Sequence, residues 1–140
     1  MMNISFRYTE HNENRMASAP KSPLPFSLSV SAGGFVFVSG QASVDSDGAI
    51  VNDTFEGEMR RSIENVRAIL QGHGMTLRDV VQVRSYVGRQ EDLAEYNRLY
   101  REFFQPPYPA RTTLIGVLGT LLKFEIDVVA FPGGAGNKPS

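Results

Sequence analysis

Residues 55–70 read Phe-Glu-Gly-Glu-Met-Arg-Arg-Ser-Ile-Glu-Asn-Val-Arg-Ala-Ile-Leu, and their spacing decides how the rest of the chain is read. Phe55, Met59, Ile63, Val66 and Leu70 recur at three- and four-residue steps, the apolar stripe of an amphipathic helix, with Glu58, Arg61 and Glu64 off it. Asp53 with Glu56 three residues later resembles a capping box, and Gly72 and Gly74 supply the stop.

Upstream of this helix the period shortens. Leu28–Val30 and Phe35–Val38 are strand-like runs separated by Ser31-Ala32-Gly33-Gly34, which predicts a hairpin with glycines in the turn. Ser39-Gly40-Gln41 ends the second strand, and Asp45–Gly48 is a further turn. Pro20, Pro23 and Pro25 make 19–25 an extended surface connection. Downstream, Asp79–Val87 reads as a strand in which Val81, Val83 and Val87 alternate with Gln82, Arg84 and Tyr86. A second helix spans Asp92–Phe104, with Leu93, Tyr96, Tyr100 and Phe103 on one face and acidic residues in its first turn. Pro106, Pro107 and Pro109 stop it, and two more strands follow, Arg111–Val117 and Lys123–Ala130, joined by Leu118–Leu122. This order gives an α+β fold, a single sheet with two helices on one face. The other face needs cover, which oligomerisation would supply. We read one domain over 1–140, with an N-terminal segment 1–18 and a tail 132–140 that are partly flexible.

Composition narrows the function. The chain has 140 residues, 41% hydrophobic and 21% charged, enough apolar material for one core. Its formal net charge is -1 and its longest basic run is Arg60-Arg61, so neither nucleic acid nor a membrane surface is the expected partner. The absence of cysteine removes disulfides, thiolate metal sites and cysteine nucleophiles, and fits a reducing compartment. Residues 1–16 carry Arg7, Glu10, Glu13 and Arg15 and so lack the apolar region of a signal peptide; no apolar stretch approaches the roughly 18 residues of a membrane span. Cytoplasm is the expected location.

Chemistry is concentrated in a few residues. Arg111, in Pro109-Ala110-Arg111-Thr112-Thr113, sits where a proline-rich segment gives way to a strand, and its guanidinium can hold a carboxylate through two parallel hydrogen bonds. By spacing alone, a lone strand arginine reads first as a surface residue or half of an internal ion pair. Glu125 and Asp127, two apart, share the strand face opposite Phe124, Ile126 and Val128. Glu125 is the candidate to orient a water or handle its proton, while Asp127 reads equally as a wetted strand residue. Ser39 and Gly40 offer a hydroxyl and accessible amides, or simply a strand-ending turn; Asn97 interrupts the apolar side of the second helix and can bond a loop or a ligand. His11 and His73 are far apart, no metal site is expected, and no nucleotide-binding or nucleophile-elbow pattern occurs.

Taken together, Phe37-Val38-Ser39-Gly40-Gln41, Ser62-Ile63-Glu64-Asn65-Val66, Tyr96-Asn97 with Tyr100 and Phe103-Phe104, Tyr108-Pro109-Ala110-Arg111-Thr112 and Glu125-Ile126-Asp127-Val128-Val129-Ala130 resemble the RidA/YjgF family, also called the endoribonuclease L-PSP family. The resemblance spans about 19–131. It implies a chorismate-mutase-like fold and a homotrimer whose sheets form a central barrel with clefts between subunits. It also implies hydrolysis of reactive 2-imino or 2-enamino acids to 2-keto acids and ammonia, without a cofactor. Arg111 would take the carboxylate and Glu125 would position water; Ser39, Gly40, Asn97 and the backbone at Thr113 would complete the pocket. Two positions depart from the pattern. Phe26 stands where the family commonly has a tyrosine, and Thr113 where it often has a cysteine. The loss of a hydroxyl at Phe26 keeps a second reading in play, a non-catalytic trimer that binds small carboxylates or regulates. Endoribonuclease activity finds no histidine on a strand and no basic aromatic platform.

Overall fold

The computed structural model describes residues 6–8 and 24–134. Six strands, β1 (Phe6–Tyr8), β2 (Ser29–Ala32), β3 (Phe35–Ala42), β4 (Val80–Val87), β5 (Ala110–Ile115) and β6 (Phe124–Ala130), form one mixed sheet in the order β1-β2-β3-β6-β4-β5. Neighbours are antiparallel except β4 and β5, which are parallel, because α2 (Leu93–Phe103) lies in the crossover between them. Helix α1 (Phe55–Gln71) connects β3 to β4. The α+β fold with one sheet and two helices is as the sequence implies. Strand β1, paired with β2 through Phe6↔Ala32 and Tyr8↔Val30, lies within the segment 1–18; three residues carry too little periodicity to be read. The remainder of that segment, Pro20, Pro23 and residues 135–140 lie outside the described residues.

The core is the α1 stripe set against one sheet face. Met59, Ile63, Val66, Ile69 and Leu70 are fully buried with Val38, Val80, Val83, Val87, Phe124 and Ile126, and Tyr96 and Leu99 of α2 close the same layer. Thr54, not Asp53, caps α1: its hydroxyl accepts from Gly57 N at 3.1 Å, while Asp53 accepts from Thr54 N at 2.7 Å. Glu58 is no surface residue. It is wholly buried, its carboxylate accepting from Lys123 N (2.9 Å), Lys123 Nζ (3.2 Å) and Asp53 N (3.2 Å). One helical acid therefore ties the helix start to the start of β6, a use that stripe counting does not reveal.

Two bulges correct the strand readings. Gly33 and Gly34, with φ of 58° and 87°, form the two-residue hairpin turn that only positive φ allows, so Ala32 belongs to β2. Strand β3 does not end at Ser39 but continues to Ala42. Its register against β6 slips between Val38↔Val128 and Gln41↔Ile126, leaving an extra residue at Ser39-Gly40. A second slip, between Val80↔Ala130 and Gln82↔Val129, displaces Val81, so the buried residues of β4 are Val80, Val83, Ser85 and Val87.

Candidate active site

Arg111 and Glu125 lie on opposite faces of the sheet. Arg111 pairs with Val83, whose side chain faces the helices; Glu125 pairs with Tyr86 on the open face. The two residues named from sequence as the chemical pair thus belong to separate halves of the molecule.

The helix-side half is built on edge strand β5. The Arg111 guanidinium lies over the rings of Tyr96 and Tyr100, 5.0 and 4.7 Å from their centroids. Such stacking holds a cation without neutralising it. Both tyrosines come from the buried side of α2, four residues apart and so one above the other. The Tyr96 hydroxyl is within 3.2 Å of Thr113 Oγ1, which ties the ring to the strand that carries Arg111. Tyr100 Oη is buried with no hydrogen-bond partner among the described residues, and burial pushes its phenol well above the usual range. Arg111, Asn97, Tyr100, Arg101, Tyr108 and Pro109 line a concavity of about 250 Å³. Arg111 is exposed and no carboxylate pairs with it among the described residues, so of the two readings that spacing alone offered the surface residue fits and the internal ion pair does not.

The open-face half is a broader hollow of about 580 Å³ in which Phe26, Ser39 and Gly40 meet Arg84, Glu125 and Asp127. The β3 bulge brings Gly40 against the Glu125 carboxylate: a Cβ there would stand 2.8 Å from Oε2, so a side chain would displace the acid. Burial first, and then the neighbouring Asp127, raise the Glu125 carboxyl above its ordinary value. Asp127 is an ion-paired residue and not a merely wetted one, accepting from Arg84 Nε at 2.8 Å and from Tyr86 Oη at 2.7 Å. The Ser39 hydroxyl donates to Ser27 O at 2.6 Å, so it is engaged in fixing the chain that carries Phe26.

Of the residues named from sequence, the chain brings Arg111 and Asn97 together in one concavity, places Thr113 behind them on Tyr96, and gathers Phe26, Ser39, Gly40 and Glu125 in the other. Tyr100, Arg101, Tyr108 and Arg84 were not singled out as site residues. The first was read as core, and the four-residue spacing of Asn97 and Arg101 was the available signal that both share a face of α2. Among the described residues no acid or histidine cluster suited to a metal occurs, and no helix is long and apolar enough to cross a membrane.

The family model described as Endoribonuclease L-PSP matches residues 16–131. This chain belongs to that family, the RidA/YjgF family. It is 32% identical over 117 residues to a 2-iminobutanoate/2-iminopropanoate deaminase of Salmonella typhimurium, covering 81% of this chain and 91% of the relative. A RutC family protein of Pyrococcus horikoshii is 34% identical over 116 residues, covering 81% and 92% of the two chains. Among solved structures, TdcF of Escherichia coli with bound serine superposes with a TM-score of 0.73 at 32% identity, covering 82% of this chain and 94% of that one.

Proposed function

We propose that this family member hydrolyses 2-imino and 2-enamino acids to 2-keto acids and ammonia, in sites completed between copies of a homotrimer. The observation that carries the reading is the Arg111 guanidinium, stacked on two tyrosines and without a carboxylate partner among the described residues, beside Asn97 in a concavity open to a ligand. A relative 32% identical that is named as a deaminase of such imines supports it. Because Arg111 and Glu125 face opposite ways, the edge of one copy has to meet the open face of the next for both to touch one substrate. The exposed Phe35, Phe37 and Leu114 on that open face favour such an assembly, since apolar surface gains from being covered.

In the assembled site Arg111 takes the substrate carboxylate in bidentate fashion and holds the imine carbon in place. Glu125, its carboxyl raised toward the working pH, accepts a proton as water adds to that carbon, and the electrons of the C=N bond move to nitrogen, which gains a proton. Collapse of the resulting carbinolamine breaks the C–N bond, releases ammonia and leaves the keto group. One water is consumed, and electrophile and nucleophile both come from the reactants, so no cofactor takes part in the proposed reaction. The chain's lack of cysteine suits a reducing compartment, and the cytoplasm is the proposed setting.

The test generates short-chain 2-imino acids in situ with an amino-acid-degrading enzyme and follows their trapping by semicarbazide, with and without this protein. Trapping is expected to fall with the wild type and to return with Arg111→Ala. Unchanged trapping for every imine, with the protein folded, would point to the second reading, a trimer that binds small carboxylates without turning them over. Phe26, which lines the open-face hollow without a hydroxyl, is the observation that favours that reading.

A further inference from the structure

The arginines between Arg60 and Arg111 divide into two groups. Arg60, Arg61, Arg67, Arg84, Arg89 and Arg98 each hold at least one carboxylate. Arg78, Arg101 and Arg111 hold none among the described residues, and two of these three, Arg101 and Arg111, line the same concavity. Arg101 is exposed, and among the described residues its Nη1 donates to the Asn97 carbonyl at 3.2 Å. Asn97 and Arg101 sit four residues apart on α2, on the face that borders β5, while Tyr100 and Tyr108 supply aromatic walls. In a chain of net charge -1, Arg101 and Arg111 both line this hollow, and no acid among the described residues lines it with them. An anion entering the hollow therefore meets two cationic side chains, neither of which holds a carboxylate among the described residues. A monocarboxylate answers one of them. A molecule with a second carboxylate answers both.

We propose that Arg101 is a specificity-determining residue, and that with Arg111 it makes this concavity a site for dicarboxylates. The substrates handled best are then 2-imino or 2-enamino acids whose side chain ends in a carboxylate. This rests on the reading that Arg111 takes the substrate's first carboxylate. Both side chains are exposed, but Arg111 is held by its two ring contacts, whereas Arg101, which touches the backbone of its own helix, has the freedom to follow side chains of different length.

Equilibrium binding of succinate and butyrate to the full chain tests this without any turnover. The wild type is expected to bind succinate about tenfold more tightly than butyrate at low ionic strength, a preference that shrinks as salt screens the exposed guanidinium. Arg101→Gln is expected to abolish the preference while changing butyrate affinity by less than about twofold, since the substitution is on the surface and removes one contact. Arg101→Lys is expected to retain most of it, and Arg111→Gln to weaken both ligands. Equal or undetectable binding of the two by the wild type overturns the proposal, as does an equal loss of both in Arg101→Gln. The same variants are then compared on imines made from aspartate and from 2-aminobutyrate. A succinate preference with no turnover of either imine keeps the Arg101 assignment and defeats the deaminase reading. Turnover without the preference does the reverse.

Discussion

The two faces of the sheet differ in how completely one chain finishes them. On the helix side, α1 and α2 bury Val83, Val87, Phe124 and Ile126, and the site residue placed there, Arg111, is held by Tyr96 and Tyr100 of the same chain. On the open side, Glu125 has its carboxylate against Gly40 and its neighbour Asp127 tied to Arg84 and Tyr86, while Phe35 and Phe37 stand exposed. The half proposed to bind the substrate anion is thus preorganised within the chain, and the half proposed to handle the proton looks outward. What a chain leaves open is where a second copy has something to add.

The largest expected effect comes from the preorganised half. Arg111→Ala removes the group proposed to hold the carboxylate, and kcat/KM in the trapping assay is expected to fall by about 10² or more, the scale of losing one charge-stabilising donor. Gly40→Ala probes the other half. Its new Cβ would meet Glu125 Oε2 at 2.8 Å and push the acid aside, so kcat is expected to drop about tenfold with KM nearly unchanged. A change in KM alone would mean that Glu125 serves binding and not proton transfer. Tyr100→Leu keeps bulk but removes one ring under Arg111; KM is expected to rise roughly threefold to tenfold, since a cation over a ring is worth about 0.5–2 kcal/mol.

Smaller effects concern stability. Tyr100→Phe deletes a buried hydroxyl that has no partner among the described residues, and a gain of about 1 kcal/mol in urea unfolding is expected. Glu125→Gln tests the open face through its pH dependence. The folded state raises the Glu125 carboxyl above 4.5, so its protonated form favours folding at low pH and that stability is lost as pH rises through the raised value. At neutral pH the half-buried carboxylate is a cost, and the amide variant is expected to melt higher than the wild type. Below about pH 4 the two should converge, because both side chains are then neutral.

Much of this was legible in the chain itself, for identifiable reasons. The α1 stripe could be read because helix burial repeats with the helix period, and all five of its named residues are buried. The alternation of Glu125 and Asp127 against Phe124, Ile126 and Val128 survives intact because β6 is paired on both sides and carries no insertion of its own. Strand β3 was cut short because Ser39-Gly40 has the composition of a turn; a bulge uses the same residues inside a strand. Val81 was misplaced for a similar reason, since a slipped register interrupts alternation without leaving a mark in residue type. For the site, residue types named Arg111, Asn97 and Glu125, but neither the two-tyrosine support nor the opposition of faces could be read, as both depend on which strand lies beside β5.

Mixing two inactive variants shows whether Arg111 of one copy works with Glu125 of another. Arg111→Ala and Glu125→Gln chains, unfolded together in equal amounts and refolded, form interfaces of which about one quarter join an intact Arg111 to an intact Glu125, given random assembly in a cyclic oligomer. Recovery to about a quarter of wild-type imine hydrolysis is expected, from parents that each have almost none. A mixture as inactive as its parents, with subunit exchange verified, would contradict it.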